Sequence, residues 1–142
     1  MGKDLNLVLI SRRRFGMAGT RFNARGLDDQ GNVANFVETE IILNYDNCKL
    51  NFAHVQIRGS VPLFWAQKAK KQKVTLKQNQ RLTEVAFNTH MHSIIDQYTR
   101  IVFLNLLAHD KPHEKMLSDR ITVLFQNAKF DKAKLKNYDF HF

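Results

Sequence analysis

Between positions 83 and 107 the apolar residues change their period, and that change limits the fold more than any other feature. Phe87, Met91, Ile94, Ile95 and Tyr98 recur at intervals of three and four, one apolar stripe along a helix. The spacing predicts a helix over 83–98 with Thr83 as its N-cap. At 100–107 (RIVFLNLL) the apolar residues become nearly continuous, as in a buried strand of a parallel sheet. Pro112 can open a second helix at its first turn, with Met116, Leu117, Ile121, Leu124 and Phe125 on its buried face. The last six residues, NYDFHF, alternate again, with Tyr138, Phe140 and Phe142 opposite Asp139 and His141. A helix–strand–helix–strand order calls for parallel pairing, so the expected class is α/β, with α+β as the variant, and the β-rich half comes first.

That first half begins with LNLVLI at 5–10, read as a buried strand. A glycine-broken loop, SRRRFGMAGTR, follows at 11–21, and a hairpin is expected to start at 21–23. Asp28-Asp29-Gln30-Gly31-Asn32 is a turn, because Gly and Asn accept positive φ. Residues 33–45 alternate, with Val33, Val37, Ile41, Leu43 and Tyr45 on one face and Glu38 and Glu40 on the other; 53–58 is a further strand. Residues 66–82 read as a surface loop. No internal repeat is visible, and 142 residues are one domain's worth.

The net charge of +9 is clustered. Arg12, Arg13, Arg14, Arg21 and Arg25 precede any acid in their segment, and 66–83 holds five lysines and Arg81 with no acid. Such blocks attract polyanions: phosphoinositide headgroups, an anionic leaflet or nucleic acid. A nucleic-acid role is not expected, since no helix-turn-helix, zinc-finger or RNA-binding aromatic signature is present. No apolar run approaches the ~20 residues of a bilayer span, and the N-terminus carries neither a signal-peptide core nor a myristoylation Ser or Thr at position 6. With a single cysteine no internal disulfide can form, which suits a cytoplasmic chain peripheral to membranes. Metal binding is not expected: His90 and His92, two apart on a helix, point apart, and His109 and His113 flank Pro112 with no cysteine nearby.

Several segments together resemble the Sac-domain family of phosphoinositide phosphatases, the synaptojanin-like enzymes. They are Ser11-Arg12-Arg13, Ala18-Gly19-Thr20-Arg21-Phe22, Arg25-Gly26, Asp28 through Glu40, and Arg58 through Trp65. Looser matches follow at Phe87-x2-His90 with Tyr98, at Asn105-Leu106-Leu107 and at Tyr138-Asp139-Phe140-His141. The sequence departs from the family at Ile41 (usually Gln), at Thr99 (often Gly) and in having no Lys-Pro after the Trp segment. The resemblance implies removal of phosphate from the inositol ring of membrane phosphoinositides, without a cofactor or metal. It also implies a thiolate nucleophile in a Cys-x5-Arg loop, where Arg and a helix N-terminus hold the phosphate and lower the thiol pKa.

Cys48 does not begin such a loop: the sixth residue after it is His54. The chain therefore reads as a partial Sac phosphatase domain over 1–142 that stops before the nucleophile and is inactive alone. Arg12, Arg13, Arg21, Arg25 and Arg58 are the candidate phosphate- or anion-binding residues, and no catalytic residue is assigned. His141 is the histidine nearest to a catalytic neighbourhood in sequence, although an ordinary strand position is the better reading. The alternative function is a non-catalytic module that binds anionic lipid or a protein. The incomplete sheet edge could pair with another chain.

Overall fold

The computed structural model describes residues 4–20, 23–45, 49–67, 73–77 and 79–138. Its elements run β1 (Leu5–Arg13), β2 (Val37–Tyr45), β3 (Leu50–Arg58), β4 (Trp65–Gln67), β5 (Val74–Leu76), α1 (Gln80–Tyr98), β6 (Ile101–Asn105), α2 (Pro112–Ala128) and β7 (Ala133–Asn137). The fold is mixed α/β with a β-rich first half, as the periodicity predicts. β1, β2 and β3 form an antiparallel sheet in chain order, and β4 and β5 form a short antiparallel pair. β6 and β7 pair in parallel, from Ile101 opposite Ala133 to Asn105 opposite Asn137.

One core joins these parts. α1 contributes Phe87, Met91 and Ile94; α2 contributes Leu117, Ile121, Leu124 and Phe125. Phe125 stands edge-on to Phe87 at 5.3 Å and to Phe103 of β6 at 5.1 Å, the offset geometry aromatic quadrupoles favour. Leu27, Val33, Phe36, Leu63 and Trp65 carry the same core into the loops of the first half.

Five expectations are corrected. The run at 5–10 forms a strand but not a buried one: Leu5 is 64% and Leu7 62% exposed. Register places Leu5 beside Tyr45 and Leu50, and Leu7 beside Leu43 and Phe52. No described element covers that face, so its apolar residues line an open surface. β6 is likewise half-covered: Ile101 and Phe103 pack against the core while Val102 and Leu104 are exposed. The helix expected from 83 starts at Gln80. Asn79 is the cap, its Oδ1 accepting the Leu82 N–H at 2.9 Å, while the Thr83 hydroxyl donates to the Asn79 carbonyl. The supposed loop at 66–82 contains the end of β4, all of β5 and that first helical turn. Finally, the closing strand is Ala133–Asn137, earlier than the alternation at 137–142 suggested; residues 139–142 lie outside the described residues.

α1 ends on Thr99, whose φ of +66° is unfavourable for a β-branched side chain; its N–H bonds the Ile95 carbonyl. This is the position where the Sac pattern often has glycine. Thr99→Gly is therefore expected to stabilise the fold by about 1 kcal/mol, because the strain removed exceeds the entropy added to the unfolded chain. A urea titration should show the midpoint moving up.

Candidate functional site

The segments that carried the family resemblance are folded into one hydrogen-bonded knot. Gly26 N–H donates to Ser60 Oγ at 2.8 Å, and the Gly26 carbonyl accepts from Ala34 N–H at 2.8 Å. Ser60 N–H donates to the Ala34 carbonyl and Leu27 N–H to the Leu63 carbonyl, both at 2.9 Å. The Asn35 amide reaches the Ala24 carbonyl at 3.3 Å and accepts from Arg13. Residues far apart in sequence thus hold one another through the backbone, where side-chain bulk is poorly tolerated.

The expected turn at 28–32 is formed. Asp28 Oδ1 accepts from Gln30 N–H at 3.0 Å and Asn32 N–H at 2.8 Å, and Gly31 sits at φ +79°. A side chain at Gly31 would lie 2.9 Å from the backbone nitrogen of His90, so the turn packs directly on α1. His90 completes that junction. It is 4% exposed, and its Nδ1 lies 2.9 Å from the Gly31 carbonyl. A carbonyl only accepts, so Nδ1 carries the proton. Burial, joined by the nearby Arg14 charge, pushes the His90 pKa down to about 4.

That shift has a sign. The unfolded chain takes up a proton on this histidine near pH 6.5, the folded chain only near 4. Stability from neutral His90 is thus complete above about pH 6.5 and is lost as pH falls toward 4. The loss amounts to about 3 kcal/mol across that window. His90→Gln is expected to flatten this part of a urea-midpoint-versus-pH curve while lowering the plateau at neutral pH.

The candidate arginines among the described residues do not converge on one point. Arg12 is on β1 and bridges Glu38 at 2.8 Å and Glu40 at 3.0 Å on the neighbouring strand. Those carboxylates raise its pKa. The Tyr98 hydroxyl donates to Glu38 from the end of α1, and that bond, with Arg12, holds the Glu38 carboxyl below the usual range. Partial burial, with Glu38 beside it, pushes the Tyr98 phenol up to about 12. Arg13 donates to the Gly19 carbonyl at 3.0 Å and to Asn35. Arg58 is exposed at the end of β3, opposite Val37. Arg21 lies outside the described residues, as do Cys48 and His141.

Arg25 occupies a different setting. Its guanidinium lies 5.1 Å from the centre of the Trp65 ring, and Nη2 donates to Gln67 Oε1 at 2.8 Å. With Asn23, Ala66 and Lys77 these residues line a cleft of about 310 Å³. Arg14, not singled out from sequence as an anion ligand, stacks on Phe36 at 4.2 Å. At the carboxyl ends of β6 and β7, Asn105 donates to Ser118 Oγ at 2.7 Å and Asn137 Oδ1 at 2.9 Å, tying both strands to α2. Among the described residues no cluster of three or more His, Cys, Asp or Glu could hold a metal ion. No helix of the described residues is long and apolar enough to cross a membrane.

The sequence profile of the SacI homology domain matches residues 1–142, and the chain belongs to that family. It is 40% identical over 143 residues to an inositol-1,4,5-trisphosphate 5-phosphatase 1 of Schizosaccharomyces pombe, covering 98% of this chain and 13% of that protein. It is 43% identical over 119 residues to synaptojanin-1 of Rattus norvegicus, covering 82% of this chain and 7% of the relative. It is 36% identical over 142 residues to phosphatidylinositol-3-phosphatase SAC1-B of Danio rerio, covering 99% and 24%. The chain thus spans less than a quarter of the length of each of these relatives.

Proposed function

We propose that this chain is the part of a Sac-type phosphatase that frames the catalytic centre and faces the anionic membrane bearing the phosphoinositide substrate. The observation that carries this reading is the match to the SacI homology domain over residues 1–142, with relatives named for phosphatase action on inositol phosphates. The structure supports a framing role, because the family's segments form a rigid backbone knot and place no nucleophile within it. Hydrolysis by a Cys-x5-Arg thiolate has to come from residues other than these 142, which contain no such motif.

The candidate arginines divide accordingly. Arg12 and Arg13 act as buttresses: their hydrogen bonds hold β1 to β2 and to the 19–35 loops. Arg25, Arg58 and the exposed lysines supply positive potential toward a cytoplasmic leaflet. The expected consequence is salt-sensitive association with anionic vesicles. Each basic residue near such a surface contributes about 1 kcal/mol, and salt screens it. Co-sedimentation with neutral and phosphatidylserine-containing vesicles at low and high salt tests this; equal binding to both lipids argues against an electrostatic mode. The open apolar face of the β1–β3 sheet favours a second reading, a protein-binding module. Retention of binding to neutral vesicles or to itself at high salt is the result that would favour it.

A further inference from the structure

We infer, building on the membrane-facing reading above, that the turn at Phe15 is a lipid-insertion site whose phenyl ring enters the headgroup–acyl boundary of an anionic bilayer. Phe15 is 98% exposed, more than any other large apolar side chain among the described residues. A ring in full contact with water gains nothing from the core. Yet the backbone that carries it is held on both sides. Arg14 N–H donates to the Phe36 carbonyl at 3.0 Å, Ala18 N–H closes the turn on the Phe15 carbonyl at 3.3 Å, and Asn35 N–H donates to the Met17 carbonyl at 3.3 Å. The Arg13 guanidinium reaches across to the Gly19 carbonyl at 3.0 Å. Between these anchors Met17 sits at φ +54°, a left-handed conformation that a methionine adopts only where its surroundings impose it. The ring is thus presented from fixed backbone, and little further ordering is needed to bury it.

The company of that ring is positive. Residues 5–27 contain five arginines and no acid. Arg13 donates to a backbone carbonyl and to the Asn35 side chain, both neutral, so its charge is not cancelled by them. The Arg14 guanidinium lies 4.2 Å from the centre of the Phe36 ring. Register sets Arg13 and Arg58 on either side of Val37, on the sheet face opposite the one that carries Glu38 and Glu40. A pocket on a protein partner would call for an apolar rim around its anchor. In sequence Phe15 has instead Arg13, Arg14, Gly16 and Ala18 beside it, cations and small residues. Such a tip lets a ring sink into a flat anionic interface while the guanidinium groups stay at headgroup level.

The probe is a mixed phosphatidylcholine–phosphatidylserine vesicle, offered to the 142-residue chain and to its Phe15→Ser and Phe15→Trp variants. Phe15→Ser is expected to leave the urea midpoint unchanged, because the ring lies outside the core. It is expected to weaken vesicle binding about tenfold, the loss of a partly buried phenyl ring. The factor should be the same at low and high salt, because the side chain removed carries no charge. Phe15→Trp should bind like the native chain, and lipids brominated along the acyl chain should quench its added emission. Trp65, the native tryptophan, is 6% exposed and supplies a background that those lipids do not quench. Vesicles of phosphatidylcholine alone should hold neither form, since one ring is too weak an anchor without the charge. Native-like binding of Phe15→Ser to the mixed vesicles overturns the insertion and leaves the electrostatic reading standing. No binding of the native chain to those vesicles overturns both. A deficit in Phe15→Ser that vanishes at high salt overturns the insertion by placing the effect in the charges. Self-association of the native chain that Phe15→Ser abolishes, with no quenching in Phe15→Trp, overturns it in favour of a second copy of this chain.

Discussion

Gly26→Ala is expected to cost more than 3 kcal/mol and to lower the urea midpoint steeply. Gly26 is buried at φ +75°, where an alanine carries a strain of order 1–2 kcal/mol from its own backbone. Its new methyl carbon would also lie 2.3 Å from the Leu63 carbonyl oxygen and 2.9 Å from the Trp65 ring. The carbonyl cannot retreat freely, because it accepts the Leu27 N–H at 2.9 Å. Relief would pull apart the bonds from Gly26 to Ser60 and Ala34. Domains of this size are stable by roughly 5–15 kcal/mol, so the change removes a large fraction. Urea denaturation followed by Trp65 fluorescence measures it, since that ring is buried against the altered residue. A midpoint within experimental scatter of the native chain would show that the 63–65 segment can move aside. Gly31→Ala should also destabilise, by pushing the 28–32 turn off α1.

The second large effect is catalytic. The 142-residue polypeptide should release phosphate from phosphatidylinositol monophosphate vesicles no faster than buffer. A Sac-type thiolate needs a cradle of backbone N–H groups and an arginine six residues on, and Cys48 is followed there by His54. Cys48→Ser should accordingly change nothing. Turnover that this substitution abolishes would make Cys48 a nucleophile and overturn the framing role proposed above.

What the sequence disclosed, and what it hid, follows from how far apart the interacting residues are. The 28–32 turn and the α2 start at Pro112 were legible because Gly, Asn, Asp and Pro act on their own backbone. The helix–strand–helix order was legible from apolar spacing alone. β7 was not, because its sequence, AKLKN, exposes two lysines and offers little apolar signal. The first turn of α1, Gln80-Arg81-Leu82, is exposed and reads as loop; Thr83, at the start of the apolar stripe, drew the cap assignment away from Asn79. Apolar content at 5–10 revealed a strand but could not say whether anything lay over it. In the candidate site, the arginines were visible as charge, but their partners were not. His90 meets Gly31 across 59 residues and Tyr98 meets Glu38 across 60, contacts that no local pattern encodes. Arg25 differs from Arg12 only in what the fold places beside it: an indole and an amide instead of two glutamates.

The pairing of β1 with β2 makes Arg12 a gauge of parity. Arg12 lies directly opposite Glu38 and one step along that face from Glu40, and Tyr98 grips Glu38 from the helix. A slip of β1 by one residue would turn Arg12 to the far side; in the direction that sets Ser11 opposite Glu38 and Leu9 opposite Glu40, both carboxylates lose their guanidinium. A slip by two in that same direction would keep the side but set Ile10 opposite Glu38 and Val8 opposite Glu40. A hairpin whose outer face is open has little apolar packing to reject such errors, so here three charges and a phenol do the counting. Lengthening or shortening β1 by a single residue should therefore harm the fold more than a conservative substitution at any one of its leucines.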